Sequence, residues 1–235
     1  TGRIAVDAEG RITALEIDDL TGIGPYSVYP RTSAIEGNQV VNLCGGPYDF
    51  ANYRARTTVV LQNKTPTCQY RAVGHPIAAA VTEGLVDLAA EAIGLDPLEI
   101  RRRNVVRDDA YPYTSASGMR FEGLSHQACL AKLEAMIDLP RLRAEQAELR
   151  AKGIYRGLGF ASFIELTNPS PFMYGIGGAR ISAQDGCTVR MDPDGSIVAL
   201  SGVTEQGQGT EAMLAQIVAH GVGVPLDRVK IVTGD

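Results

Sequence analysis

Two short runs hold the residue types from which chemistry could be built. Val203-Thr204-Glu205-Gln206-Gly207-Gln208-Gly209-Thr210-Glu211 follows a strand-like stretch and opens a helix-like one. Glycines flanking a glutamine let the backbone approach a ligand closely, and the unpaired N–H groups of a helix start favour an anion such as a phosphate. The single amide of Gln208 can both donate and accept, which suits a polar ligand edge. Taken alone, a G-x-G at a strand-helix junction serves a tight turn as readily as a cradle. The second run, Tyr70-Arg71-Ala72-Val73-Gly74-His75-Pro76, precedes the strongest helical pattern. It reads either as a loop with a solvated Arg71 and a turn glycine, or as a second helix start aimed at a buried ligand. For His75, a packed or solvated imidazole is favoured over a ligand contact.

Other chemistries find no residues. There is no G-x-S-x-G elbow, no G-x-x-x-x-G-K-[ST] and no strand-embedded G-x-G-x-x-G with a downstream acid, so serine-hydrolase, P-loop and dinucleotide readings fail. The four cysteines, Cys44, Cys68, Cys129 and Cys187, have no metal-ligand spacing, and His75, His126 and His220 form no helical pair. Neither side-chain metal ligation nor an iron-sulfur cluster is expected within the chain. Glu165 and Glu205 read as strand-end or cradle residues, since no spacing sets the distance between them.

These runs must be positioned by a folded chain, and 235 residues with 45% hydrophobic content suffice for a core. A formal charge of −5 with no sustained basic run beyond Arg101-Arg102-Arg103 excludes a nucleic-acid or anionic-membrane footprint. No apolar run reaches the roughly 18 to 20 residues of a membrane span, and the start lacks a signal-peptide pattern. A soluble, cytoplasmic protein acting on a small molecule is expected. Both ends fall beside strand-like runs, and the chain reads as an internal fragment.

Residues 3–20 predict a hairpin around Ala8-Glu9-Gly10, and residues 21–53 an ordered loop with short pieces of structure. A short strand is expected over 57–61. From Pro76, apolar residues recur at helical spacing through Ala92, with Glu83, Asp87 and Glu91 on the opposite face and Gly94 as a left-handed cap. Asp96-Pro97-Leu98-Glu99 restarts a helix whose basic end suits the macrodipole. Helices follow over 125–139 and 140–152. Strands are expected over 158–167, 179–183, 188–192 and 196–201, then a helix over 210–220 and a strand over 228–233. No repeat is read. The sum is a mixed α+β architecture with a boundary near Lys152-Gly153.

Taken together and in this order, the motifs resemble the molybdenum-binding subunits of the xanthine dehydrogenase/aldehyde oxidase family. Tyr70 to Val106, YRAVGHPIAAAVTEGLVDLAAEAIGLDPLEIRRRNVV, is similar to that family's F/Y-R-G-x-G-x-P loop, long helix and L-D-P-x-E-[IL]-R-R-x-N succession. Asp192 to Asp235 resembles its D-x-D-G strand, G-Q-G helix and V-P-x-D-x-[IV]-x-[IV] succession. The resemblance covers nearly the whole chain, more weakly between about residues 107 and 155.

The resemblance implies an α+β molybdopterin-binding domain in two partial subdomains, 1–152 and 153–235. It implies a molybdenum-molybdopterin cofactor, with the cytosine dinucleotide form expected, and hydroxylation of an aldehyde or N-heteroaromatic C–H with water-derived oxygen. Iron-sulfur clusters and FAD would then sit on partner subunits or domains of a hetero-oligomer. By position, Arg71, Ala72 and Val73 would lie near the molybdenum, and Gln206, Gly207, Gln208, Gly209 and Thr210 would contact the pterin or its phosphate tail. Ala72 replaces the usual Gly, and stands where carbon-monoxide dehydrogenases place a copper-ligating Cys, which disfavours CO oxidation. His75 stands where Gly or Arg is more usual. The family's upstream G-G-G-F-G loop and downstream G-x-G-E catalytic glutamate are absent, so no catalytic residue is assigned and these residues alone are expected to be inactive. The alternative is a non-catalytic assembly module that retains the fold.

Overall fold

The computed structural model describes residues 1–28, 32–68, 70–165 and 185–234. The chain divides into two compact units, Thr1–Asn168 and Pro169–Asp235, and both are mixed α+β.

In the first unit β1 (Gly2–Val6) and β2 (Ile12–Ile23) pair antiparallel. Asp7 makes their turn: its N–H donates to Arg11 O, its carbonyl accepts from Gly10, and its carboxylate accepts from the N–H groups of Glu9 and Arg11. Gly10 supplies the left-handed backbone, φ +79°. β2 runs further than the expected hairpin strand. From Ala14 to Ile23 it pairs in parallel with β3 (Asn52–Leu61), which is itself five residues longer at its start than the expected strand.

A parallel pair needs a crossover, and here it is α1 (Ile35–Leu43). The loop expected over 21–53 is therefore corrected to a strand end, a helix and a strand start. The periodicity was lost because the chain changes from strand to helix and back within a few residues. Gly37 also sits in the first turn of the helix, where a Cβ would lie 2.5 Å from Thr57 Oγ1. Only a residue without a side chain lets α1 press this closely on the sheet.

α2 (His75–Ile93) begins after Gly74 and ends at Gly94, whose φ of +70° makes the predicted left-handed cap. α3 (Pro97–Asn104) starts as expected, with the Asp96 carboxylate accepting from Leu98 N–H at 2.8 Å. α1 and α2 pack on the sheet with Ile12, Leu15, Ile17, Val40, Val86 and Ala90 in one core. Beyond them lie a small hairpin, β4 (Tyr113–Thr114) and β5 (Arg120–Phe121), and two helices, α4 (His126–Met136) and α5 (Leu139–Ala151). The strand expected over 158–167 is absent among its described residues, 158–165, and that expected over 179–183 lies outside the described residues.

The polar face expected for α2 is also corrected. Glu83 is 6% exposed and Arg101 fully buried. Arg101 donates from Nε to Glu83 Oε2 at 2.8 Å, and from its guanidinium to Asp87 Oδ1 at 2.8 Å and Pro97 O at 2.7 Å. Tyr48 donates to the other Glu83 oxygen at 2.8 Å, and Ser162 N–H completes the carboxylate at 3.0 Å. Burial and the Glu83 charge push the Tyr48 hydroxyl well above its usual range, which keeps it a donor. Asn104, 2% exposed, accepts from Ile12 N–H and donates to Gly10 O and Ile100 O. It thereby pins α3 to the β1–β2 turn.

The second unit holds β6 (Cys187–Met191), β7 (Ile197–Ser201), α6 (Thr210–Val222), a 3-10 turn over Leu226–Arg228 and β8 (Val229–Thr233). β6 pairs antiparallel with β7, and β7 in parallel with β8. Its order, hairpin then helix then parallel strand, is that of β1-β2-α1-β3. The turns agree in detail. Asp192 N–H donates to Ser196 O and Gly195 N–H to Asp192 O, as Asp7 and Gly10 do, and Gly195 has φ +80°. D-x-x-G-x-I-x-A-L occurs at residues 7–15 and 192–200. The expectation of no repeat is thus corrected. The copies are hard to see in sequence because nine positions with five identities are followed by crossover loops of different length.

Arg101→Met removes one partner of a buried pair and strands Glu83, which costs about 3–5 kcal/mol. Urea unfolding followed by a probe in the first unit measures this, and a loss below about 1 kcal/mol contradicts the assignment.

Candidate functional site

Each unit places one of the two chemically promising runs beside the carboxyl ends of its parallel strands, the edge where a crossover connection leaves room for a ligand. In the first unit the loops leaving β2 and β3 are bound to one another. Ser33 Oγ donates to Thr67 O at 2.8 Å and accepts from Val28 N–H, while Ser33 N–H donates to Ser27 Oγ. A Cβ on Gly24 would lie 2.3 Å from Pro66 Cα, so the two backbones touch.

The run 70–76 closes this region with a tight turn, in which His75 N–H donates to Ala72 O at 2.8 Å. Ala72 has φ +57°, the single positive φ at a non-glycine among the described residues. Gly74 has φ +77°, and a Cβ there would lie 2.6 Å from Gln39 Cβ and 3.0 Å from Glu36 O. The turn is therefore pressed against α1, an element that sequence reading missed.

Arg71 is exposed and Val73 half-buried. Both line a cleft of about 100 Å³ with Ser33, Glu36, Thr67 and Cys68. His75 is packed, at 8% exposure, with Nδ1 3.2 Å from Val73 O and 4.0 Å from Glu165 Oε1. Glu165 is thereby placed beside the turn, a neighbour that no sequence spacing indicated.

In the second unit the loop 202–209 leaves β7 and opens α6. Gly207 and Gly209 have φ +86° and +78°, and Gly209 is the residue preceding the helix. Gln206, Gly207, Gln208 and Gly209 are exposed, whereas Thr210 is buried. The backbone amides expected to await an anion are engaged within the loop. Glu205 accepts from Gly209 N–H at 3.0 Å and Glu211 N–H at 3.3 Å. The Gln208 amide also folds back, accepting from Gln206 N–H at 2.6 Å and donating to Thr204 O at 3.2 Å. Glu211 accepts from Thr233 Oγ1, tying the helix start to the end of β8. Desolvation opposes the Glu205 charge, but the amides of Gly209, Glu211, Gly207 and Thr210 outweigh it and hold the carboxyl below its usual range.

Both loops therefore offer bare, sharply turned backbone and a few polar side chains. They suit the grip of a rigid polar ligand. Among the described residues no group of three or more His, Cys, Asp or Glu is placed to hold a metal ion; a metal here would have to come with ligands of its own.

The fold and these loops define a pair of cofactor-binding domains, and comparison with known proteins specifies the cofactor. Residues 1–105 and 132–235 each match a molybdopterin cofactor-binding domain. The chain is 35% identical over its whole length to the nicotine 6-hydroxylase large subunit of Paenarthrobacter nicotinovorans, and spans 29% of that protein. It is 32% identical over 99% of its length to a putative xanthine dehydrogenase molybdenum-binding subunit of Escherichia coli, again spanning 29%. Quinoline 2-oxidoreductase from Pseudomonas putida 86 superposes with a TM-score of 0.88 at 35% identity, over 98% of this chain and 29% of that one. The chain belongs to the xanthine dehydrogenase/aldehyde oxidase family of molybdenum-cofactor-binding subunits.

Ala72→Gly relieves a left-handed alanine and changes stability by no more than about 1 kcal/mol, on the stabilising side. Gly74→Ala combines that strain with overlap on α1 and destabilises by at least about 2 kcal/mol. Thermal or urea unfolding checks both signs. The lowered Glu205 carboxyl stays ionised above the ordinary carboxylate range and loses its amide bonds as pH falls through its own, lower value. The amide shifts of Gly209 and Glu211 should accordingly titrate with a midpoint below that of an ordinary glutamate, and Glu205→Gln should abolish that titration.

Proposed function

We propose that this chain supplies part of the active-site cradle of a molybdenum hydroxylase that oxidises an aldehyde or N-heteroaromatic C–H with oxygen from water. The observation that carries the reading is the conjunction of the two strand-end loops with the family's motif order. The nicotine- and quinoline-directed names of two similar proteins favour an N-heteroaromatic substrate. In this reading the cofactor is molybdopterin in its cytosine dinucleotide form. Electrons leave to iron-sulfur and flavin groups on partner subunits of a cytoplasmic hetero-oligomer. The two cofactor subdomains divide near Lys152-Gly153.

The residues fit such a group. The turn at Ala72 to Gly74 brings backbone close to whatever lies in the Arg71 cleft, and the arch at Gly207 to Gly209 does the same in the second unit. Arg71, Ala72 and Val73 would border the metal, and Gln206, Gly207, Gln208, Gly209 and Thr210 the pterin or its phosphate tail. When bound, the cofactor supplies the two-electron redox chemistry. The protein contributes orientation and hydrogen bonding around a metal it does not ligate. Arg71 adds positive charge at the cleft, and the packed His75 fixes the turn behind it.

Protein isolated from a molybdenum-replete host should contain molybdenum and pterin in near-equal amounts, by elemental analysis and pterin fluorescence. The absence of both would return the chain to the alternative of a non-catalytic assembly module. Gln208→Ala should lower that content severalfold, and unchanged content would remove Gln208 from the cradle.

A further inference from the structure

The loop that opens α6 is organised by its own side chains. Glu205 stands midway along the loop and reaches forward four residues to take Gly209 N–H, and six to take Glu211 N–H. Gln208 closes the same arch from the other side through Gln206 N–H and Thr204 O. The base of the arch is held by the sheet, where Gly234 N–H donates to Ser201 O and Val203 O. The first amides of α6, which a phosphate would otherwise take, are therefore committed to an internal carboxylate. An anionic ligand could use them only by expelling a charge that four backbone amides stabilise.

Resting on the cofactor reading above, we propose that Glu205 is a positioning residue: its carboxylate caps α6 and holds residues 206–209 in the arch whose outer face meets the cofactor. It touches neither substrate nor metal. The anionic tail of the cofactor is then received by the outer groups of the loop, and the start of α6 stays capped in the loaded state as in the free one. Preorganisation is the physical gain, since a loop already fixed by internal bonds loses little entropy on binding. Glu211 is the other charged group at this helix start. It is held away from the arch by Thr233 Oγ1 at 3.2 Å, and so does not substitute for Glu205.

The test compares Glu205→Ala and Glu205→Gln in two measurements. In the 235-residue chain, hydrogen exchange at Gly209 and Glu211 should quicken at least tenfold in the alanine variant. Protection in β7 and β8 should persist, which establishes that the unit still folds. In protein isolated from a molybdenum-replete host, molybdenum and pterin content should fall severalfold for alanine. Glutamine, which keeps an acceptor without the charge, should restore part of it. Unchanged exchange at the two amides overturns the capping role. Higher cofactor content in the alanine variant overturns the proposal differently, by showing that Glu205 is a stand-in which the cofactor's anion displaces. If the amides are released while cofactor content stays unchanged, the loop does not grip the cofactor, and it is the functional reading of this loop that fails.

Discussion

The buried pair of Arg101 and Glu83 is the constraint on which the first unit depends. Removing both charges from water is tolerable only because each is fully engaged. The guanidinium has Glu83, Asp87 and Pro97 O, and the carboxylate has Arg101, Tyr48 and Ser162 N–H. Such a pair adds little net stability over an apolar replacement, but it penalises every arrangement in which one partner is left alone. It joins four stretches of chain that are distant in sequence: the one before β3, α2, α3 and the extended run around Ser162. The start of α2, and with it the turn at Ala72 to Gly74, is held in place by that junction, as is Glu165 beside His75.

The repeated hairpin-helix-strand module explains why both glycine-bearing runs occur where they do. A parallel pair of strands obliges the connection to leave from one carboxyl end and return by a helix, and the loop at that end has no ladder to join. It is free to turn sharply and to present backbone. In the first unit the crossover loop is longer and is bound to a second loop leaving β3. In the second it is short and folds on itself. One architecture thus yields two different surfaces.

The two runs differ in how they achieve rigidity. The first is braced from outside: Gly74 is wedged on α1, and Ala72 accepts an unfavourable backbone angle, a strain the surrounding contacts must sustain. The second is braced from inside by Glu205 and Gln208. Both solutions suit a protein whose cofactor performs the chemistry and whose own contribution is fixed placement.

Much of this was legible in the sequence, because it depends on local rules. The caps at Gly94 and Asp96, the helix following Gly209 and the strands β6, β7 and β8 follow from periodicity and turn chemistry over a few residues. The order of motifs was enough to identify the family. What sequence could not show was anything decided by partners far along the chain. Glu83 and Asp87 have the spacing of a solvated helix face, and only the arrival of Arg101 and Tyr48 makes Glu83 a core residue. The helix α1 has too short an apolar pattern to stand out, and is stabilised by packing through Gly37. The repeat is carried by shared topology more than by shared residues. Gln208 and the amides before α6 suggested an open site by composition. It was the tertiary fold, by bringing Glu205 onto the helix start, that engaged the Gly209 and Glu211 amides within the loop.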